Sequence, residues 1–187
     1  MSKVVVTGGT GFIGSHVCVD LIEKGYEVLI LDSLVNSDRK VVNNILNIFS
    51  NDISIKKKIS FIKADLKNKN EIDKIFQDLI NKGQQISAVI HLAGLKAVKE
   101  SIEKPFSYWE NNVIGAYNLL SVMDKYNCRT FVFSSSATIY GTLENKLINE
   151  KSFINPINPY GTTKHVVEQL LNNVFQSGPN KWKIAKL

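Results

Sequence analysis

The sequence predicts an α/β fold, a doubly wound parallel sheet with helices on both faces, and three observations predict it. Short runs rich in Val, Ile and Leu alternate with longer segments of helical period, about every 25–35 residues, as βαβ units do. The short runs are nearly continuous in apolar residues, the mark of strands covered on both faces. A glycine-rich turn joins the first run to the first helical segment, at the carboxyl end of a strand, where such sheets bind ligands.

In chain order, "KVVVT" (3–7) is the first strand and stops at glycine. "GFIGSHVCVDLIEKG" (11–25) sets Ile13, Val17, Leu21 and Ile22 at helical spacing, with His16 packed inside that helix. It ends at Gly25, a residue suited to the left-handed turn after a helix. "YEVLILD" (26–32) is the second strand, and "SDRKVVNNILNIF" (37–49) is a helix with Val41, Val42, Ile45 and Phe49 on one side. "KISFIKAD" (58–65) is a strand, and "NKNEIDKIFQDLINKG" (68–83) is an amphipathic helix whose Asn68 and Glu71 have capping-box spacing. "ISAVIHLA" (86–93) is a strand in which His91 reads as a hydrogen-bonded core residue. A long helix falls between Pro105 and Tyr126, "RTFVFSSS" (129–136) is a strand, and a helix follows Pro159. "KWKIAKL" (181–187) opens a further strand. No linker or repeat divides the chain, so residues 1–187 are expected to form one domain.

Apolar residues make up 44% and charged residues 21%, ordinary for a globular protein. Lys and Arg number 23 against 17 Asp and Glu, a formal +6, but the cations are scattered through polar stretches. The densest run, Lys56-Lys57-Lys58, is followed by acidic residues, which argues against a nucleic-acid partner. No run reaches the ~18 apolar residues of a membrane span, so no membrane partner is expected. Cys18 and Cys128 stand far apart inside apolar patterns, as buried free thiols of a reducing compartment do. No His or Cys spacing suits a metal. The start lacks the apolar length of a signal peptide, and the reading is a soluble cytoplasmic protein.

The first turn, "TGGTGFIG", spaces Gly8, Gly11 and Gly14 three residues apart between strand and helix. The first permits a tight turn, the second lets backbone approach a pyrophosphate, and the third lets the helix pack against the strand. The helix N-terminus adds free N–H groups and partial positive charge. Asp32, at the end of the second strand, can accept hydrogen bonds from both hydroxyls of an adenosine ribose and would repel a 2′-phosphate. That favours NAD over NADP as cofactor. Asp65, after the third strand, is placed to meet the adenine, and Lys96 to stand near the pyrophosphate. Further along, "NPYGTTK" (158–164) puts Tyr160 and Lys164 on one helical face about 6 Å apart, just after a proline that suits a first helical turn. Alone, that pair is as compatible with a surface helix as with proton transfer.

With "TGGTGFIG", "HLAGLKAVKES", "NNVIGAYNLL", "SSSATIYG" and "YGTTK" in order, the chain resembles the extended short-chain dehydrogenase/reductase family, and within it the UDP-hexose 4-epimerases, from Lys3 to about Ala185. The resemblance implies a Rossmann-like sheet, tightly bound NAD, and reversible oxidation of a UDP-hexose at C4 through a transient 4-keto sugar. It makes Tyr160 and Lys164 the catalytic pair and Ser136 their partner. It places NAD contacts at Phe12 and Ile13 in the glycine turn, at Asp32, Ser33, Leu34, Val35, Asn36 and Ser37, and at Asp65 and Leu66. These continue at Leu92, Ala93, Gly94, Leu95 and Lys96, then Asn111, Ser136, Tyr160 and Lys164. Lys96, Ser136 and Tyr160 are the expected substrate contacts.

A phenol, with an ordinary pKa of about 10, is a poor base at neutral pH, but a neighbouring ammonium and an oxidised nicotinamide both favour its phenolate. Related dehydratases carry an Asp-Glu pair just after the serine strand; Ala137 and Thr138 stand there, which disfavours dehydration. Another NAD-dependent sugar-nucleotide epimerase and a non-catalytic NAD-binding protein stay open as alternatives. The resemblance also implies a homodimer through a four-helix bundle built from segments near 107–126 and 160–177. There Val113, Tyr117, Leu120, Val166, Leu170 and Val174 could serve core or interface. It further implies a C-terminal substrate domain that is missing from this chain, which alone is therefore expected to hold NAD weakly and to epimerise poorly or not at all.

Overall fold

The alternating pattern becomes one six-stranded, wholly parallel sheet in a computed structural model that describes residues 3–49, 52–142, 147–177 and 181–187. The strands are β1 (Lys3–Thr7), β2 (Glu27–Asp32), β3 (Ile59–Lys63), β4 (Ile86–His91), β5 (Thr130–Phe133) and β6 (Lys183–Lys186), in the order β3-β2-β1-β4-β5-β6. The helices are α1 (Phe12–Glu23), α2 (Lys40–Ile48), α3 (Ile53–Lys56), α4 (Lys69–Asn81), α5 (Val98–Glu103), α6 (Pro105–Tyr108), α7 (Gly115–Lys125) and α8 (Pro159–Gln176). The doubly wound α/β fold is thus as expected, down to the last strand.

The period-2 geometry of β1 sorts its side chains between two cores. Val4 and Val6 join Val28, Ile30, Cys18, Ile22, Val42 and Ile45 under α1 and α2. Val5 joins Leu29, Leu31, Phe76, Leu119, Phe131 and Val167 under α4, α7 and α8. Both cysteines are free and buried, and burial alone pushes the Cys18 thiol up to about 12.

Helix boundaries follow identifiable chemistry. Asn68 caps α4 by accepting from the Glu71 N–H. The reciprocal half of the expected capping box is redirected, because Glu71 Oε2 accepts instead from the N–H of Asp65 at 3.2 Å. Gly25 follows α1 at φ +87°, and the Tyr26 N–H reaches back to the carbonyl of Leu21, a Schellman closure. The buried stripe of α1 is Gly14, Cys18 and Ile22; Ile13 is 56% exposed and His16 is exposed, stacked edge-on against Phe12. Both expectations of inward packing are corrected: the stripe is offset by one residue, because Gly14 must face the sheet.

The long helix expected from Pro105 to Tyr126 is interrupted. A π-helical segment, Trp109–Ile114, separates α6 from α7. Three strands also end earlier than expected, β3 at Lys63, β4 at His91 and β5 at Phe133, although the N–H of Leu92 still donates to the Thr7 carbonyl. Those released residues become walls of a crevice.

Candidate active site

In this order the winding of the strands outward from β1 reverses between β1 and β4, and the crevice outside the strand ends opens at that switch point. Its volume is about 430 Å³. The turn after β1 forms its floor. Gly8 has φ +71°, and a Cβ there would lie 2.6 Å from the backbone nitrogen of Ala93. A Cβ on Gly14 would collide with the carbonyl oxygen of Gly8, so only glycine lets α1 seat on the turn. Gly11 caps α1 without a side chain, leaving the first-turn N–H groups and the partial positive charge of the helix beside Phe12 and Ile13, which line the crevice.

Asp32 is buried and binds the turn to the loop after β2. Its Oδ2 accepts from the N–H of Thr10 at 3.1 Å; its Oδ1 accepts from the Leu34 N–H at 2.9 Å and the Ser37 hydroxyl at 3.1 Å. Leu34 holds φ +59°, a left-handed conformation costly for a side chain branched at Cγ, kept by that bond. Ser33, Val35 and Asn36 line the crevice with Asp32, whereas Leu34 and Ser37 do not. At the β3 edge the crevice is bounded by Ala64, Asp65 and Leu66. Asp65 accepts from the Lys67 N–H at 2.9 Å and pairs with its ammonium at 3.6 Å.

The opposite wall is the loop after β4, from Leu92 to Lys96, with Asn111 beside it. That loop is held by Asn112, which sequence reasoning missed. Its Oδ1 accepts from the Leu95 N–H at 2.8 Å, while its Nδ2 donates to the Leu95 carbonyl at 3.0 Å and to the Thr163 hydroxyl at 3.1 Å. Thr163 in turn donates to the carbonyl of Tyr160 at 2.7 Å. One signal was available: Asn is a poor interior helix residue, and a buried amide must bond something specific.

Tyr160 and Lys164 both open into this crevice from the first turns of α8, which Asn158 caps by accepting from the Gly161 N–H at 2.8 Å. The Tyr160 ring is 9% exposed and meets the ring of buried Tyr108 edge-on at 6.4 Å. Tyr108 was not singled out from sequence; its hydroxyl donates to the Ala97 carbonyl at 2.8 Å. The Lys164 ammonium lies 4.8 Å over the Phe133 ring and donates to the Ser134 carbonyl at 2.7 Å. Burial without a carboxylate partner pulls its pKa down to about 8.

Ser134 and Ser135 line the crevice, and Ser136 does not. The Ser136 hydroxyl caps a 3₁₀ turn, Ala137–Tyr140, accepting from Thr138 N–H at 3.2 Å and from the Thr138 hydroxyl at 2.9 Å. Ser135 donates to buried Glu168 of α8, which also pairs with Lys186 at 3.3 Å. His91 is the expected core histidine: 1% exposed, bonded through Nδ1 to the Thr7 hydroxyl at 2.7 Å, and stacked on Phe131 and Phe133. Burial and the nearby Lys164 charge lower its pKa to about 3. Among the described residues, no three His, Cys, Asp or Glu side chains come together as a metal site.

A parallel sheet of this order, with a glycine turn at its switch point and a Tyr-x-x-x-Lys pair facing the same crevice, defines a Rossmann-type α/β protein. The chain belongs to the GDP-mannose 4,6-dehydratase family, whose model matches residues 5–180. It is 41% identical over 184 residues to UDP-glucose 4-epimerase of Bacillus subtilis (strain 168), covering 98% of this chain and 51% of that protein. It is 42% identical to the bifunctional UDP-glucose 4-epimerase and UDP-xylose 4-epimerase 3 of Arabidopsis thaliana, covering 99% and 50%. Among solved structures, UDP-glucose 4-epimerase from Bifidobacterium longum, in complex with NAD⁺ and UDP, superposes with a TM-score of 0.88 at 36% identity, covering 99% of this chain and 52% of that one. The enzyme from Stenotrophomonas maltophila, with bound NAD and formylated UDP-arabinopyranose, gives 0.87 at 38%, covering 100% and 52%. The chain therefore spans about half the length of the relatives it matches, and the likeness to 4-epimerases drawn from its motifs is borne out.

Proposed function

We propose that this chain supplies the cofactor-binding and proton-transfer part of a UDP-hexose 4-epimerase, interconverting UDP-galactose and UDP-glucose with NAD held in the crevice. One observation carries the reading: a buried phenol and a buried ammonium, Tyr160 and Lys164, share the crevice that the glycine turn floors. The donor set suits NAD. Uncapped N–H groups of α1 would hold the pyrophosphate, the Asp32 carboxylate the adenosine ribose, and the Asp65-Leu66 edge the adenine. Lys164 would hold the nicotinamide ribose. Bound there, NAD would supply the hydride acceptor and donor for C4 of the sugar.

Tyr160 takes the proton of the sugar 4-hydroxyl, directly or through Ser136, and later gives it back. Lys164 brings a positive charge into the same crevice, and the Ser134 carbonyl and Phe133 face keep that ammonium in place. Lys96, Ser136 and Tyr160 would touch the sugar nucleotide. The serine strand is followed by Ala137 and Thr138, neither able to trade a proton at neutral pH, which favours epimerisation over dehydration. No helix among the described residues is long and apolar enough to cross a membrane, and two buried free thiols suit a cytoplasmic setting. A homodimer would use α6–α7 and α8, where Tyr117 is 51% exposed while Leu120 is buried in the core.

The test is mass spectrometry of denatured protein for co-purified NAD, followed by assay of UDP-galactose and UDP-glucose interconversion. NAD bound by wild type and Tyr160→Phe alike, with any interconversion that wild type shows lost in the variant, is the expected pattern. Absence of NAD in wild type and no uptake on incubation would contradict the reading.

A further inference from the structure

We propose that Asn118 is a positioning residue for the adenosine end of the cofactor site, acting through the loop that follows β3; the inference rests on the NAD reading above. Asn118 lies near the start of α7, 6% exposed, where a buried amide must find partners. It spends both Nδ2 protons on one loop, donating to the carbonyls of Leu66 and Lys67, each at 3.0 Å. One turn earlier on the same helix, Gly115 makes room for that loop. A Cβ at Gly115 would sit 3.2 Å from the Leu66 Cβ, tighter than side chains normally pack. From the other side, Glu71 accepts from the Asp65 N–H at 3.2 Å.

The loop is therefore clamped between α7 and α4, and the residues it presents to the crevice are Asp65 and Leu66. Asn118, Gly115 and Glu71 themselves do not line the crevice, so any effect they have on a ligand passes through the loop. Position in the sheet makes the effect selective. β3 is the outermost strand on one side of β1, whereas β5, just beyond which Ser134 anchors Lys164, lies on the other. Loosening the β3 loop should weaken the adenosine end and leave the nicotinamide end unchanged.

The experiment compares affinities of the purified chain for NAD and for nicotinamide mononucleotide, which lacks adenosine, in wild type and Asn118→Leu, with circular dichroism as the check on folding. Loss of a buried amide's hydrogen bonds is expected to weaken NAD about tenfold, with nicotinamide mononucleotide changed by less than about twofold. Gly115→Ala, which crowds Leu66 without deleting a hydrogen bond, carries the same test with the same expected split if Asn118→Leu loses its fold. Variants that bind NAD as wild type does, or that lose both ligands equally, overturn the assignment. A wild-type chain that binds neither ligand overturns the NAD reading, and this one with it.

Discussion

Lys164 is the residue whose environment makes the sharpest demand on the fold. Its folded pKa of about 8 lies below the ordinary 10.5, so the unfolded chain binds more protons between those values. Stability from this group is therefore lowest below pH 8 and recovers as pH rises from 8 towards 10.5. Between pH 7 and 9.5 the wild type should gain about 2 kcal/mol relative to Lys164→Met, read from denaturant unfolding of both at each pH. A constant difference across that range would mean that the ammonium is better solvated than its 6% exposure implies. His91 gives the opposite end of the pH scale. With its pKa held near 3, it contributes stability that is full above about pH 6.5 and is lost as pH falls towards 3. An acid titration of His91→Asn by circular dichroism should show a shallower loss over that interval than wild type. Gly14 is the least replaceable residue of the turn: Gly14→Ala, which drives a methyl into the Gly8 carbonyl, should cost about 1–3 kcal/mol by thermal unfolding.

At the scale of elements, α8 delivers both groups of the pair, and its first turn is set by a cap. Asn158→Ala should lower stability by about 1 kcal/mol in chemical denaturation, since it removes the acceptor for the Gly161 N–H. This is also the scale at which legibility in sequence varied most. The strands announced themselves, because Val4, Val5 and Val6 must be apolar on both faces of a parallel sheet. Gly8 and Gly14 were legible too, since the turn tolerates no Cβ. The π-helical segment was not: Asn111 and Asn112 in "WENNVI" are poor helix formers but do not by themselves signal a change of helix type, and Asn112 is tied by tertiary bonds to Leu95 and Thr163. The offset in α1 escaped for a similar reason. Periodicity cannot tell Ile13 from Gly14 as the inward residue when a glycine, invisible to an apolar count, is what the sheet contacts. Ser136 illustrates a third limit, since the motif marks its position in the chain but cannot say that its hydroxyl accepts from Thr138 or that it stands outside the crevice lining.

Across the whole molecule, the two cores divide the labour of holding the site. The cluster under α1 and α2 fixes the glycine turn and Asp32, while the larger cluster under α4, α7 and α8 fixes the β3 loop and the Tyr160–Lys164 helix. The crevice lies where the strand order reverses, so each half contributes one wall. That division lets both halves of the sheet enclose the crevice within a chain that matches about half the length of its relatives. The measurement that bears most directly on this account is a calorimetric titration of the purified chain with NAD, run beside Lys164→Met. Saturable binding to wild type, weakened about tenfold in the variant, is the predicted result. No saturable binding, or equal affinity of the two proteins, would contradict it.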